Sequence, residues 1–234
     1  MPGAVTYQLD GSVASIVMDD GKANVLGLAM LDDLTEALRQ AQSEAAAIVL
    51  AGRPGVFSGG FDLAVFRRNP AELVQMLEAG ARLAELLKSC PRPVVAACTG
   101  HAIAMGAFLL LSADLRIGVE TGARIQVSEV QAGLTVPNFA IELCRQRLAP
   151  AHLHRAVCTA SPYSPLEAVA AGFLDSIVPA DALLQQAQAI AGQLAALPAH
   201  AFSATKARVT AAGLGALQRA LDEDLAHWRH VVSP

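Results

Sequence analysis

Short blocks of apolar residues follow one another along the chain with two different spacings. Consecutive or alternating apolar residues are typical of strands, whereas apolar residues three and four positions apart are typical of helices. The predicted strands are 5–9, 13–18, 47–50, 93–98, 115–118, 125–127 and 177–178. The predicted helices are 28–42, 70–90, 105–112, 138–147, 151–159 and 165–171, and a helical pattern resumes from residue 181.

Residues at the ends of one predicted helix match known capping signals. The pattern predicts an N-cap at Ser164 and a first helical residue at Pro165. Glu167, three residues after Ser164, completes a capping box with it. Gly172 predicts the end of the same helix, because glycine readily adopts the left-handed conformation found there. We therefore expect a short helix with both ends defined.

Strands and helices alternate through the first three-quarters of the chain, which favours an α/β fold. We expect an α/β core in residues 1–180 and a C-terminal helical region in residues 181–234. The helical region is predicted to break at Pro198 and again around residues 213–215. The C-terminal helices could pack on their own core or on another subunit. A late stripe of leucines with helical spacing is usually core, but little chain follows to cover it, which favours burial against another subunit. The stripe consists of Leu214, Leu217, Leu221 and Leu225.

Composition narrows the classes of partner. Of the 234 residues 53% are hydrophobic, and the net charge is −4 with no cluster of basic residues, so we expect no nucleic-acid partner. The most apolar stretch, 93–117, is interrupted by glycines, a histidine and an aspartate, so we expect no membrane insertion. The four cysteines are scattered without metal-ligand spacing, so we expect no metal site. The N-terminus lacks the pattern of a signal peptide, which favours a cytoplasmic location.

Two glycine-containing segments, each following a short apolar strand, indicate chemistry. They are Phe57 to Asp62 and Thr99 to Gly106. Glycines allow the main chain to turn sharply and to approach a ligand closely. Two such turns can direct two main-chain N–H groups at one oxygen atom and form an oxyanion hole. Glu129 would then provide a carboxylate for proton transfer.

Other interpretations of the first segment are weaker or are excluded. A glycine-rich turn without function is the simplest alternative when the segment is taken alone. A phosphate-binding loop is excluded because no Gly-Lys-Ser/Thr follows. A nucleophile elbow is excluded because Val56 stands where glycine is required before Ser58. We expect Asp62 to cap the turn that follows it.

Four segments, taken together and in order, resemble motifs of the crotonase family, also called the enoyl-CoA hydratase/isomerase superfamily. They are Gly21 to Leu26, Phe57 to Leu63, Pro93 to Gly106 and Gly172 to Val178. The resemblance extends over nearly the whole chain and implies a crotonase-like ββα spiral core with a C-terminal helical region. It also implies an acyl-CoA substrate and assembly as a homotrimer or a dimer of trimers. Coenzyme A would be part of the substrate, so no separate cofactor is expected.

The resemblance also implies roles for individual residues. The N–H groups of Phe61 and Met105 would form the oxyanion hole for the thioester oxygen. Met105 occupies a position that is usually glycine in the family, so its side chain is expected to narrow the substrate pocket. Lys206 falls near the coenzyme A phosphates, with an ordinary surface lysine as the alternative. Further substrate-binding positions are Ala23, Val25, Ser58, Gly60, Gly106, Phe108, Pro137 and Phe139.

The acidic residues indicate which reaction the resemblance favours. Hydratases of the family carry two glutamates, at the positions of Phe108 and Glu129, whereas this chain keeps only Glu129. In this it resembles the mitochondrial-type Δ3,Δ2-enoyl-CoA isomerases, because one base suffices to move a double bond. Apolar neighbours such as Phe108, Val136, Pro137 and Phe139 would raise the pKa of the Glu129 carboxyl and exclude water.

Two other functions stay open on the sequence alone. One is a different enzyme of the same family, an enoyl-CoA hydratase or an acyl-CoA hydrolase. The other is a non-catalytic member that binds acyl-CoA or a partner protein. Turnover of a 3-enoyl-CoA separates the isomerase from both.

Overall fold

A computed structural model describes residues 3–65 and 70–232. The strands within these residues are β1 (Val5–Asp10), β2 (Val13–Met18), β3 (Val25–Leu26), β4 (Ala47–Ala51), β5 (Gly55–Ser58), β6 (Gly60–Phe61), β7 (Val94–Cys98), β8 (Gly100–Ile103), β9 (Leu115–Val119), β10 (Ile125–Gln126) and β11 (Ser176–Val178). The helices are α1 (Leu28–Glu44), α2 (Pro70–Ser89), α3 (Met105–Ser112), α4 (Asn138–Arg147), α5 (Pro150–Cys158), α6 (Pro165–Ala171), α7 (Leu183–Ala195) and α8 (Ala199–Val232), with a 3-10 turn at Val130–Ala132.

The largest sheet has six strands in the order β1-β2-β4-β7-β9-β11. Only β1 runs antiparallel to its neighbour, and the other pairs are parallel. Every residue of β4 and β7 is buried, as expected for parallel strands covered on both faces. A three-stranded parallel sheet, β10-β8-β5, and the pair β3-β6 form further layers beside it. The predicted α/β spiral architecture is confirmed.

The side chains of the central strand β4 alternate between two apolar clusters. Ile48 and Leu50 belong to the larger cluster, whereas Ala47 and Val49 face the smaller one. The larger cluster packs against α1, α2, α3 and α4, and the smaller one is covered by α7. This period of two is the normal consequence of strand geometry. The larger cluster lies on the side of the sheet that carries the glycine-containing segments.

The predicted capping of α6 is confirmed. The Ser164 hydroxyl accepts a hydrogen bond from the Glu167 N–H, and the Glu167 carboxylate accepts one from the Ser164 N–H at 3.0 Å. Gly172 has φ = +94°, and a Cβ at this position would lie 2.5 Å from the carbonyl oxygen of Arg147. Both the left-handed conformation and the close approach therefore require glycine there.

The predicted break around residues 213–215 is wrong, because α8 continues through them without interruption. A glycine inside a helix costs roughly 1 kcal/mol relative to alanine, which packing against neighbouring elements offsets. Here a Cβ on Gly213 would lie 2.5 Å from Oε1 of Gln146. The Gln146 amide donates a hydrogen bond to the Gly213 carbonyl at 2.9 Å. Gly213 thus lets α4 approach α8 closely.

The leucine stripe of α8 is covered by the chain itself rather than left for another subunit. Leu217, Leu221 and Leu225 are buried in the larger cluster, where α8 packs on α2 and α4. The expectation that this stripe forms a subunit surface is therefore wrong. Since both C-terminal helices pack directly on core elements, the division at residues 180 and 181 stays a prediction. No helix within the described ranges is long and apolar enough to cross a membrane.

A carboxylate on α8 caps the start of α4. Oδ1 and Oδ2 of Asp224 accept hydrogen bonds from the N–H groups of Asn138 and Phe139, each at 2.9 Å. These N–H groups have no partner within their own helix, and the negative charge is favourable at a helix N-terminus. Asp224 is only 4% exposed, and burial raises the pKa of its carboxyl. The cap fixes α8 against the polypeptide that follows Glu129.

We expect the Asp224→Ala substitution to lower the free energy of unfolding by about 1–2 kcal/mol, because two N–H groups at the start of α4, one of them buried, lose their partner. Chemical denaturation of the purified variant measures this. Asp222→Ala is the matched control, since Asp222 is exposed on the same helix. Equal stability of the two variants would show that the cap contributes nothing.

Candidate active site

Both glycine-containing segments border one largely apolar cavity of about 330 Å³. Glu129 supplies the only carboxylate among the described residues that line it. The remaining lining comes from residues 59–63, from α2, from residues 103–108, from residues 128–137 and from α8. The lining residues are Gly59, Phe61, Leu63, Leu73, Leu77, Ile103, Ala104, Phe108, Ser128, Glu129, Ala132, Leu134, Thr135, Pro137 and Trp228.

Buried hydrogen bonds hold the first segment in a sharp turn. The Ser58 hydroxyl donates to the Asn24 carbonyl at 2.8 Å and accepts from the Gly60 N–H at 3.1 Å. The Asn24 amide in turn donates to the carbonyls of Met18 and Phe57. Ser58 is fully buried and does not line the cavity. It therefore positions the turn rather than contacting a ligand, and Asn24 is a positioning residue that the sequence analysis did not identify.

The second segment presents a free helix N-terminus. Met105 is the first residue of α3, so its N–H has no partner within the helix. The preceding residue, Ala104, has φ = 50° and ψ = −120°, a conformation that is costly for any residue other than glycine. Such strain concentrates at functional sites. It turns the chain abruptly from β8 into α3, beside the cavity.

The two segments touch through glycines. A Cβ on Gly60 would lie 2.8 Å from the carbonyl oxygen of Ile103, and a Cβ on Gly106 would lie 2.5 Å from that of Ser58. Any side chain at either position would push the segments apart. Phe61 and Met105, the two predicted oxyanion donors, follow or precede these contacts directly. Their assignment stays a prediction, but the main chain brings the two segments together.

The side chain of Met105 does not narrow the cavity as the sequence suggested. It is fully buried, and it is not among the residues that line the cavity. It points towards α2, where a Cβ on Gly80 would lie 3.5 Å from its terminal methyl carbon and 2.5 Å from the Phe61 ring. Gly80 therefore provides space behind the oxyanion segments for both side chains.

Glu129 lies in surroundings that favour its neutral form. It is only 8% exposed, and its Oε2 atom has no hydrogen-bond partner. Burial raises the pKa of its carboxyl to about 7, with a smaller opposing effect from main-chain groups of Ser128 and Glu129. A carboxyl with a pKa near neutrality can both accept and return a proton. The Glu129 carboxyl at the cavity therefore has the protonation properties and the free acceptor that proton transfer requires.

Aromatic packing forms the wall next to Glu129. Phe108 and Pro137 line the cavity, as predicted, whereas Phe139 does not. Phe139 packs edge-on against the ring of Phe108, with the ring centroids 6.1 Å apart. Val136 lines a neighbouring cavity instead. Phe139 thus supports the wall from behind.

The remaining predicted binding residues have different locations. The Ala23 carbonyl accepts a hydrogen bond from the N–H of Gly59, and Val25 pairs with Gly60 between β3 and β6. Both therefore flank the first segment without lining the cavity. Asp62 caps the next turn as predicted, since its Oδ1 accepts from the Ala64 N–H at 2.9 Å.

Lys206 is not an ordinary surface lysine. It is 9% exposed, and its Nζ donates to Oδ2 of Asp114 at 2.7 Å. It borders a separate cavity that shares no lining residue with the Glu129 cavity. Its role near the coenzyme A phosphates stays a prediction.

Several lining residues were not identified from the sequence. Leu73 and Leu77 of α2 and Trp228 of α8 face the cavity, together with Leu134 and Thr135. The leucines follow the helical spacing of ordinary core residues, so their pattern does not separate a cavity wall from a core. Trp228 is the single tryptophan of the chain, but its rarity does not indicate where it packs. Within residues 3–65 and 70–232, no three histidine, cysteine or acidic side chains are grouped to hold a metal ion.

Comparison with known proteins gives one consistent family. The enoyl-CoA hydratase/isomerase family model matches residues 8–233. Human mitochondrial enoyl-CoA delta isomerase 1 is 27% identical over 226 residues, which cover 94% of this chain and 75% of that protein.

Two mycobacterial crystal structures are similar over nearly the whole chain. An enoyl-CoA hydratase, EchA3, from Mycobacterium marinum is 42% identical with a TM-score of 0.92, covering 97% of this chain and 100% of that one. The apo structure of an enoyl-CoA isomerase from Mycobacterium tuberculosis is 40% identical with a TM-score of 0.92, covering 97% and 99%. Two structures with nearly the same sequence identity to this chain are thus named differently, one as a hydratase and the other as an isomerase.

We expect Glu129→Gln to stabilise the protein at high pH. The raised folded-state pKa means that the wild type loses stability as pH rises from about 4.5 to about 7. The loss reaches up to about 3 kcal/mol, and glutamine does not undergo it. Thermal or chemical unfolding should show a variant that is more stable than the wild type at pH 8 and nearly equal to it at pH 4.5. A difference that does not change with pH would contradict the burial of an ionisable carboxyl here.

Proposed function

Because the chain belongs to the enoyl-CoA hydratase/isomerase family, we propose that it is a Δ3,Δ2-enoyl-CoA isomerase with Glu129 as its single acid/base. The observation that carries the proposal is the cavity lining. Glu129 is the one titratable side chain among the described lining residues, and Phe108 occupies the position of a second family glutamate. Moving a double bond requires one proton to leave C2 and one to arrive at C4, so one carboxyl is sufficient.

The reaction has two proton transfers. The Glu129 carboxylate takes a proton from C2 of a 3-enoyl-CoA, and the electron pair of that C–H bond passes through the thioester carbonyl to its oxygen. The N–H groups of Phe61 and Met105 stabilise the resulting enolate oxygen. The protonated Glu129 then gives the proton to C4 as the enolate collapses, leaving a 2-enoyl-CoA. No proton is gained or lost overall.

The pKa of Glu129 suits both transfers. At about 7 it allows a substantial fraction of carboxylate at neutral pH, and the protonated form is not too weak an acid to return the proton. The burial that raises the pKa comes from apolar groups such as Phe108 and Pro137. The same groups exclude water, which limits addition of water to the product double bond.

A second cavity provides space for the acyl chain. It has about 640 Å³ and shares Leu73, Leu77, Leu134 and Trp228 with the Glu129 cavity. Its lining also includes polar residues, among them Asn138, Asp224 and His227, so the shared apolar side chains are the part that would bind an alkyl chain through the hydrophobic effect. The chain beyond C4 would therefore run past Trp228 of α8.

Enoyl-CoA hydratase is the second candidate. Similar structures carry that name, and Ser128 and Thr135 place hydroxyl groups in the cavity where a water molecule could be bound. We also propose a homotrimer or a dimer of trimers, on the family resemblance alone. The cytoplasmic location stays a prediction.

We expect Glu129→Gln to reduce isomerisation of a 3-enoyl-CoA by roughly 10²–10⁴-fold in kcat, because the amide cannot accept the C2 proton. KM should change little, since the amide keeps the shape of the carboxyl. The rise in absorbance of the conjugated thioester measures the rate. Glu36→Gln is the matched control, because Glu36 is an exposed residue of α1, and this variant should retain full activity. A Glu129→Gln variant with more than roughly a third of the activity would overturn the single-base mechanism.

We expect the wild type to hydrate a 2-enoyl-CoA much more slowly than it isomerises a 3-enoyl-CoA. Phe108 offers no group that orients or activates water, and Glu129 alone must serve as base and acid. Both rates are measured in one preparation at pH 7.5. Equal rates would favour the hydratase, and binding without either turnover would favour a non-catalytic member.

A further inference from the structure

A separate cavity of about 440 Å³ lies where the end of α2, the end of α4 and the first half of α8 meet. Three cationic side chains line it, Lys88, Arg147 and Lys206. The only carboxylate among the described lining residues is Asp114. The wall of this cavity therefore carries an excess of positive charge, in a chain whose net charge is −4.

Two of the three cations form no salt bridge within the described ranges. Oδ2 of Asp114 is engaged by Lys206, and it also accepts from the Val94 N–H at 2.9 Å. The Arg147 guanidinium donates to main-chain carbonyls of Leu111 and Ala113, which are neutral acceptors. Asp114 acts on both Lys88 and Arg147 only from beyond salt-bridge distance, and Asp175, which also acts on Arg147, is paired with Arg116. The cations therefore outnumber the carboxylates around this cavity.

Lys88 is the most unusual of these residues. It is 5% exposed, and its ammonium group makes no hydrogen bond or ion pair within the described part of the chain. Burial and, to a smaller extent, the nearby Arg147, Lys206 and Arg116 cations lower the pKa of Lys88 to about 8, against an opposing effect of the Asp114 carboxylate. Burying an unpaired ammonium is unfavourable unless a counter-charge is present. An anion bound in the cavity would supply the counter-charge for Lys88.

We propose that this cavity binds a phosphate group, either as the free ion or as a small phosphomonoester. A dianion would neutralise Lys88 and Arg147 together, and its oxygens would accept charge-assisted hydrogen bonds from both. The cavity is larger than a phosphate ion, and Phe202 and Val209 add an apolar wall beside the cations. That wall suits the organic part of a monoester. The site is independent of the Glu129 chemistry, because the two cavities share no lining residue.

Titration calorimetry with inorganic phosphate and with glycerol 2-phosphate tests the proposal, at pH 7.5 and constant ionic strength without any acyl-CoA. We expect saturable binding to the wild type and at least about tenfold weaker binding to Lys88→Met, because a charged hydrogen-bond partner is lost. The matched control is Arg39→Met, which removes one positive charge from an exposed position on α1. It should bind as the wild type does. The tighter of the two ligands identifies the source of the phosphate group.

A second measurement needs no variant. Raising the pH from 7.5 to 9.5 leaves a phosphomonoester fully dianionic, since its second pKa is about 6. It removes the proton from Lys88, whose pKa is lowered to about 8. Binding of glycerol 2-phosphate should weaken by about tenfold or more. Absence of saturable binding, equal loss in Lys88→Met and Arg39→Met, or affinity that does not change with pH would each overturn the proposal.

Discussion

Two lengths of main chain meet beside the Glu129 cavity without side chains between them, and the proposed chemistry depends on this contact. Gly60 and Gly106 allow the carbonyls of Ile103 and Ser58 to approach within distances that no Cβ tolerates. The strained Ala104 and the buried Ser58 hydroxyl then hold the turns in place. Main-chain donors held in this way need no reorganisation when charge develops on a substrate oxygen, which is the basis of oxyanion stabilisation.

The apolar surroundings of Glu129 lower the stability of the folded protein when the carboxyl ionises, and the proposed function explains why they are kept. A buried carboxyl with an unpartnered oxygen destabilises the folded protein when it ionises, and the chain retains it nevertheless. A polar partner for Oε2 would lower the pKa, but it would also weaken the base and admit competing hydrogen bonds. The large apolar core of the spiral supplies the stability that this arrangement gives up.

The sequence predicted the fold well where local signals and tertiary packing agree. The capping box at Ser164 and the left-handed Gly172 are examples, because both are determined by residues a few positions apart. The sequence did not predict features that depend on a contact with a residue far away in the sequence. Gly213 does not break its helix because Gln146 occupies the space above it, and Lys206 is buried because Asp114 lies opposite. Trp228 reaches the cavity because Asp224 fixes α8 to α4, a contact that no local pattern contains.

The helix α8 runs without a break from Ala199 to Val232 and reaches two separate cavities. Lys206 borders the cavity of about 440 Å³ and Trp228 borders the Glu129 cavity, and both belong to this one helix. At 1.5 Å per residue they stand about 33 Å apart along its axis. One continuous helix therefore contributes to the walls of two cavities that share no lining residue. A substitution that shortens or breaks this helix would change both walls at once, although they lie far apart.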